Sequence, residues 1–143
     1  TYTSPERLAE LTEFVAPLGT YFDGYELHLV TSASLATLAA SSPDSVLDVR
    51  RFRPNIVVTT SPDIAGYPEV GWCGRRLRIG GVVAHVARPM SRCSMVTLPQ
   101  AELPRDRSLM RTLVRETAMD FGAALDVIEP GPIVDGDIVE LID

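Results

Sequence analysis

Apolar side chains fall at positions 8, 11, 14 and 15 of the opening segment, with glutamates at 6, 10 and 13 among them. That spacing predicts a short amphipathic helix over residues 5–15, begun by Ser4-Pro5. Gly19 and Asp23-Gly24 punctuate the next stretch, and Tyr25 to Val30 alternates as a strand does. Thr31-Ser32-Ala33-Ser34 is a hydroxyl-rich entry to a second helix over residues 35–40, which stops near Ser41-Ser42-Pro43. The stretch 52–60, rich in β-branched residues after Pro54, predicts a strand with polar residues at its mouth. Two more strands are expected at 72–78 and 81–87 around a Gly80-Gly81 turn, then a loop or strand end at 88–93 and a strand restart at 95–98. The strongest helical pattern is 106–120, capped by Asp106, with Leu109, Met110, Leu113, Val114 and Ala118 at helical spacing and Gly122 as its stop. The tail reads as short strands at 124–128, 133–134 and 138–142 between Pro130-Gly131 and Asp135-Gly136 turns.

Short strands with Gly/Pro turns and three modest helices predict a β-rich α+β domain, a curled sheet or barrel. Strands and helices do not alternate regularly enough for a Rossmann arrangement, and no G-x-G-x-x-G occurs. At 143 residues with 45% hydrophobic side chains, the chain has the size of one domain and enough apolar surface for a core. It holds no run near the roughly 20 apolar residues of a membrane helix and opens on no signal segment. A cytoplasmic protein without a membrane span is therefore expected. Thr1 in place of an initiating methionine is compatible with a processed form or a piece of a longer protein.

Composition removes several chemistries. All 13 basic residues are arginine, which excludes a Walker-type phosphate loop, a pyridoxal Schiff base and a lysine nucleophile. Cys73 and Cys93 stand too far apart for a zinc knuckle and do not make a disulfide framework, so free thiols are expected. The net charge of −6 is segregated: twelve arginines lie between residues 50 and 115, and the last 28 residues carry eight acids and no base. An acidic whole argues against general nucleic-acid binding, while the basic middle suits a local site for an anion.

Three segments place polar residues at strand ends: Thr31-Ser32-Ala33-Ser34, Arg51-Phe52-Arg53-Pro54-Asn55 and Ser91-Arg92-Cys93. A barrel builds a pocket on rigid supports in this way. Arg92, with Arg53 or Arg88 across the pocket, would favour the Cys93 thiolate, the nucleophilic and metal-binding form. The alternative is an inert cysteine packed as a small hydrophobe. Arg75, Arg76 and Arg78 read as a solvated strand or turn, His28 as a satisfied strand or core histidine, His85 as an outward strand residue, and Asp137 as a turn former.

Arg51-Phe-Arg-Pro-Asn-Ile-Val-Val58, Trp72-x-Gly74 with Leu77-x-Ile-Gly80, Ser91-Arg-Cys93 with Thr97-Leu-Pro-Gln100, and the closing Pro130-Gly131 and Gly136-Asp137-x-Val139 together resemble a MOSC domain, the C-terminal domain of molybdenum cofactor sulfurases. The resemblance runs from about residue 22 to 141 of a single domain over 1–143. It implies a MOSC-type β-barrel with a few peripheral helices. In the amidoxime-reducing and related bacterial members it implies a bound molybdenum cofactor, a molybdenum-pterin. Cys93 then matches the molybdenum ligand, and Arg53 and Asn55 match residues that hold the pterin and its phosphate. Thr31, Ser32, Ser91 and Arg92 match positions lining the same pocket.

The activity so implied is a molybdenum-dependent oxidoreductase acting on N-hydroxylated or related substrates, served by an electron-donor protein. Other members imply a different use of the same thiol, a Cys93 persulfide that carries sulfur from a sulfur donor to metal-sulfur centres or cofactor. A non-catalytic binding module, with Cys93 idle, is the third reading. Many molybdenum-binding relatives carry an N-terminal β-barrel domain that is not in this chain.

Overall fold

The computed structural model describes residues 25–143; the helix expected at 5–15 and the turns at 19–24 lie outside these residues. The elements run β1 (Leu27–Thr31), α1 (Ser32–Ser41), β2 (Ile56–Val58), β3 (Arg76–Ile79), β4 (Val82–Ser91), α2 (Arg107–Thr117), β5 (Asp120–Glu129) and β6 (Val139–Leu141). Tight 3-10 turns occupy Val49–Arg51, Pro68–Trp72 and Ser94–Thr97. One six-stranded sheet has the order β2-β1-β5-β4-β3-β6. β1 and β2 are parallel, which requires the crossover that α1 supplies, and every other pair is antiparallel.

Curvature comes from the two ten-residue strands, β4 and β5. Their register shifts between Val83 and Ala84, Val86 and Arg88, and Pro89 and Ser91. Each such irregularity bends a strand and adds twist. The sheet therefore curls into a half-barrel, and its edge strands β2 and β6 line opposite walls of a cavity of about 600 Å³. Leu29, Leu77, Ile79, Val86, Ala123 and Leu125 fill the face on which all six strands converge. Phe52, Val30, Leu38, Leu109, Leu113 and Phe121 form a second core under the helices, where the Phe52 and Phe121 rings lie 4.2 Å apart.

Local chemistry explains the helices. The Thr31 hydroxyl accepts from Ser34 N and starts α1 three residues earlier than the apolar spacing indicates. Asp106 caps α2 as expected, accepting from the backbone N of Ser108 and Leu109. Several expected strands are displaced. Residues 72–75, expected as the start of a strand over 72–78, turn instead of extending, because Trp72 and Cys73 fold down onto the sheet, and the strand begins at Arg76. Residues 88–91 belong to β4, which tolerates Pro89 because the strand is bulged there. Residues 94–97 form a turn, not a strand.

Gly122 does not end α2. Ala118 takes the left-handed cap, and Gly122 lies inside β5 at φ +83°. A Cβ there would overlap the His28 Nε2 and crowd the Leu29 carbonyl, so only glycine fits.

Arg51 is fully buried with no carboxylate partner among the described residues. Its guanidinium donates instead to four carbonyls: Val46 (3.1 Å), Val96 (3.2 Å), Leu98 (3.4 Å) and Pro104 (2.7 Å). It thereby ties the 46–52 segment to the turn after Cys93 and to the lead-in of α2. Replacing Arg51 with methionine keeps bulk but strands these acceptors. Urea unfolding should show a loss of about 2–4 kcal/mol, because buried carbonyls are left unpaired.

Candidate functional site

Cys93 follows the end of β4 and heads the Ser94–Thr97 turn, with its side chain exposed. Ser91, the last residue of β4, is exposed and pairs with Asp120. Arg92 between them turns inward. Its backbone N donates to Met119 O (2.8 Å), its Nη2 donates to Phe52 O (2.9 Å), and its guanidinium lies 5.9 Å from the centre of the Phe52 ring. Its Nε is buried without an acceptor, and no carboxylate is within ion-pair distance among the described residues. Burial lowers its pKa, so this cation stands short of negative charge.

The Arg53-Pro54-Asn55 segment meets the same cluster from the other side. Arg53 adopts φ +51°, a left-handed conformation costly for a side chain of this size, and is exposed on the rim of a cavity of about 300 Å³ with Val49, Arg50, Pro54 and Val57. Asn55 is locked to β1: its Oδ1 accepts from His28 N (2.7 Å) and its N donates to His28 O (2.8 Å).

His28 is the residue that links these pieces. Its buried imidazole donates from Nε2 to Phe121 O (3.3 Å), and the carbonyls of Phe52 and Arg53 also face the ring. Burial above all, then the Arg92 charge, brings its pKa down to about 4, against the partial opposition of those carbonyls. A neutral ring at pH 7 leaves the positive charge of the site on the arginines.

The structure thus gathers Arg92, Arg53 and Asn55 around His28, with Ser91 and Cys93 beside them in the chain. Thr31 and Ser32 are spent elsewhere. Thr31 is fully buried, and its hydroxyl donates to Glu69 Oε2 (2.8 Å), as does that of Ser34 (2.6 Å). Ser32 Oγ accepts from Thr60 N (2.9 Å) and pairs with the Thr60 hydroxyl (3.0 Å). Glu69 is buried with its second oxygen unpartnered, a position that sequence reasoning missed because an acid beside a Pro-Gly-rich turn carries no periodic signal. Neither cavity is lined by Cys93, which stands on open surface.

The depressed His28 pKa means that the unfolded chain binds a proton that the folded chain refuses as pH falls below about 6.5. Stability should therefore drop progressively between about pH 6.5 and pH 4, by an amount of about 3 kcal/mol from this residue, and level off below. Urea titrations across this range should show a flatter profile for His28→Gln. The two thiols should also differ, since Cys93 is exposed, whereas Cys73 is partly covered and burial raises its pKa. Iodoacetamide at neutral pH should modify Cys93 first by peptide mapping.

The fold is similar to several solved structures. The YuaD protein from Bacillus subtilis superposes with a TM-score of 0.65 at 17% identity, covering 97% of this chain and 72% of that one. YiiM from Escherichia coli gives 0.60 at 20% identity over 91% and 61%, and YiiM from Geobacillus stearothermophilus 0.57 at 13% over 83% and 55%. The chain thus spans from about half to three quarters of the length of these relatives. No curated protein matches the sequence. Among the described residues no helix is long and apolar enough to cross a membrane. The MOSC domain pattern matches residues 20–140. With nearly the whole described region matched, and with a curled sheet carrying Arg-Pro-Asn and Arg-Cys segments, the chain belongs to the MOSC domain family.

Proposed function

We propose that this domain binds a molybdenum cofactor between Cys93 and the arginine cluster, as part of a molybdenum-dependent oxidoreductase that reduces N-hydroxylated or related substrates. MOSC domains bind molybdenum cofactor in general. The observation that carries the reading is Arg92: a largely buried guanidinium without a carboxylate, with an idle Nε–H, next to an exposed thiol. An anionic ligand would supply the missing charge and acceptor.

The residues fit the group. Cys93 offers a soft thiolate, the ligand type suited to the metal. Among the described residues no set of three or more His, Cys, Asp or Glu side chains converges as a cage, and Cys93 is the residue that would hold the metal. Arg92 and the exposed Arg53 would hold the phosphate, and the amide nitrogen of Asn55 the pterin edge. Ser91 adds a hydroxyl at the strand end. Thr31 and Ser32 act from behind, by fixing the start of α1 and the loop after β2. When bound, the group would supply the redox chemistry, in which two electrons from an electron-donor protein and two protons convert N–OH to N–H and water. The chain's own part is to anchor, orient and neutralise.

A second reading rests on the exposure of Cys93 outside both cavities. There the thiolate attacks the outer sulfur of a donor persulfide, the donor's S–S bond breaks, the donor thiolate leaves, and Cys93 carries the sulfur onward. Native mass spectrometry of protein from a host that makes the cofactor separates the two. The oxidoreductase reading predicts a molybdenum-pterin mass that Cys93→Ser loses and Arg92→Ala reduces at least tenfold in occupancy, with Arg76→Ala neutral because that side chain pairs with Asp143 away from the site. Added sulfur on Cys93 without metal would replace it with the carrier reading.

A further inference from the structure

The surface around Cys93 carries features that cofactor anchoring does not use. α2 presents Arg107, Arg111 and Arg115 at intervals of four, all exposed, with Arg105 just before the helix. Four-residue spacing puts the three on one helical face, over about 12 Å. Arg115 meets Glu116 and Ser41 O, while Arg105, Arg107 and Arg111 have no carboxylate partner among the described residues. The row begins close to the thiol. Asp106 N donates to Thr97 O (2.9 Å), and Thr97 lies four residues along a tight turn from Cys93, about 8 Å.

A second, independent observation concerns exposed apolar side chains on the segments that flank this row, the turn after Cys93 and the two ends of the α2–β5 junction. Met119 is 41% exposed, and its backbone carbonyl receives Arg92 N, so it borders the Arg92-Cys93 pair directly. Met95, two residues past Cys93, is 59% exposed, and Val114 between the helix arginines is 53% exposed. Met119 is held there by backbone strain: Ala118 and Met119 both adopt left-handed conformations, at φ +53° and +75°. Two consecutive non-glycine residues in that region are costly, and such strain concentrates where a surface has a task. Methionine and arginine are the side chains enriched at protein interfaces, and a charged rim around a small apolar centre is how such interfaces are organised.

We infer that Met95, Met119 and Val114, bordered by the Arg107-Arg111-Arg115 row, form the docking surface for an acidic electron-carrier protein that serves the centre at Cys93. The inference rests on the oxidoreductase reading and adds the partner's chemistry. Charge selects that partner. The chain as a whole is at −6, and the α2 face sets Arg105, Arg107, Arg111 and Arg115 against Glu116 and the neighbouring Asp120, so its local excess of positive charge favours an acidic protein here over the rest of the surface.

Calorimetry with a plant-type [2Fe–2S] ferredoxin as the acidic probe tests this, using protein loaded with its cofactor. Wild type should bind at low salt and weaken steeply as salt rises. Combining Arg107→Gln, Arg111→Gln and Arg115→Gln should weaken binding at least tenfold and flatten the salt dependence, and Met119→Asp should weaken it likewise. Combining Arg75→Gln, Arg76→Gln and Arg78→Gln removes the same charge from β3 and should change affinity less than threefold. Molybdenum content and the Cys93 alkylation rate of the apoprotein should match wild type in both triple variants. No ferredoxin binding at low salt, or equal binding by the α2 triple variant, overturns the docking surface while leaving the cofactor result standing. Wild type that carries no molybdenum when isolated from a host that makes the cofactor sinks the oxidoreductase reading instead, whatever its affinity for ferredoxin.

Discussion

The Arg51 guanidinium reaches carbonyls from three separate segments, and the geometry of the candidate site descends from it. One end fixes the backbone that continues into Phe52 and Arg53; the other fixes the turn that begins at Cys93. Burying a cation with only carbonyl acceptors is expensive unless every donor is used in a planar fork, which arginine can do and an ammonium cannot. The Phe52 carbonyl then passes the constraint on, since it receives Arg92 Nη2 and faces His28. Arg92 is thus held against a rigid backbone oxygen and not against a mobile acid. Its charge is left without a carboxylate partner among the described residues.

Much of the architecture was legible in the chain. The alternation through residues 25–30, the helical spacing beyond Asp106 and the Gly80-Gly81 turn all correspond to elements of the structure, because each is a local signal. The displaced segments are those in which tertiary demands override local ones. Trp72 and Cys73 leave the extended conformation to cover the sheet, and the left-handed cap of α2 falls on Ala118, not on Gly122, which His28 requires elsewhere. The motif segments stood out as chemistry, yet the roles of individual residues within them did not. Arg51 and Arg53 are two residues apart and look equivalent in the sequence; one is sealed in carbonyls and the other exposed in a strained conformation. Thr31 looked like a pocket residue because hydroxyls at a strand end suit a ligand, and only the buried Glu69 shows where that hydroxyl goes.

The charge segregation along the chain becomes spatial in the fold. The basic middle supplies one inward guanidinium, one exposed arginine on a strained turn and a row along α2, while the acids of the tail divide between the end of α2 with the central strand β5 (Glu116, Asp120, Asp126, Glu129) and the edge around β6 (Asp135, Asp137, Glu140, Asp143). A net negative protein thus keeps a cationic face without lysine. Arginines suit that arrangement, since their weakly hydrated planar groups tolerate partial burial and their stems cover apolar surface.

Gly122 and His28 hold one another in place as ring and socket. The consequence reaches beyond this molecule. Any descendant that enlarges the socket with a Cβ must shrink or move the ring, and any that shortens the ring opens a void beneath the Arg92 and Arg53 segments. Across related chains these two positions are therefore bound to change as a pair, and a lineage in which the glycine has gone will have found another way to hold the backbone under its arginines.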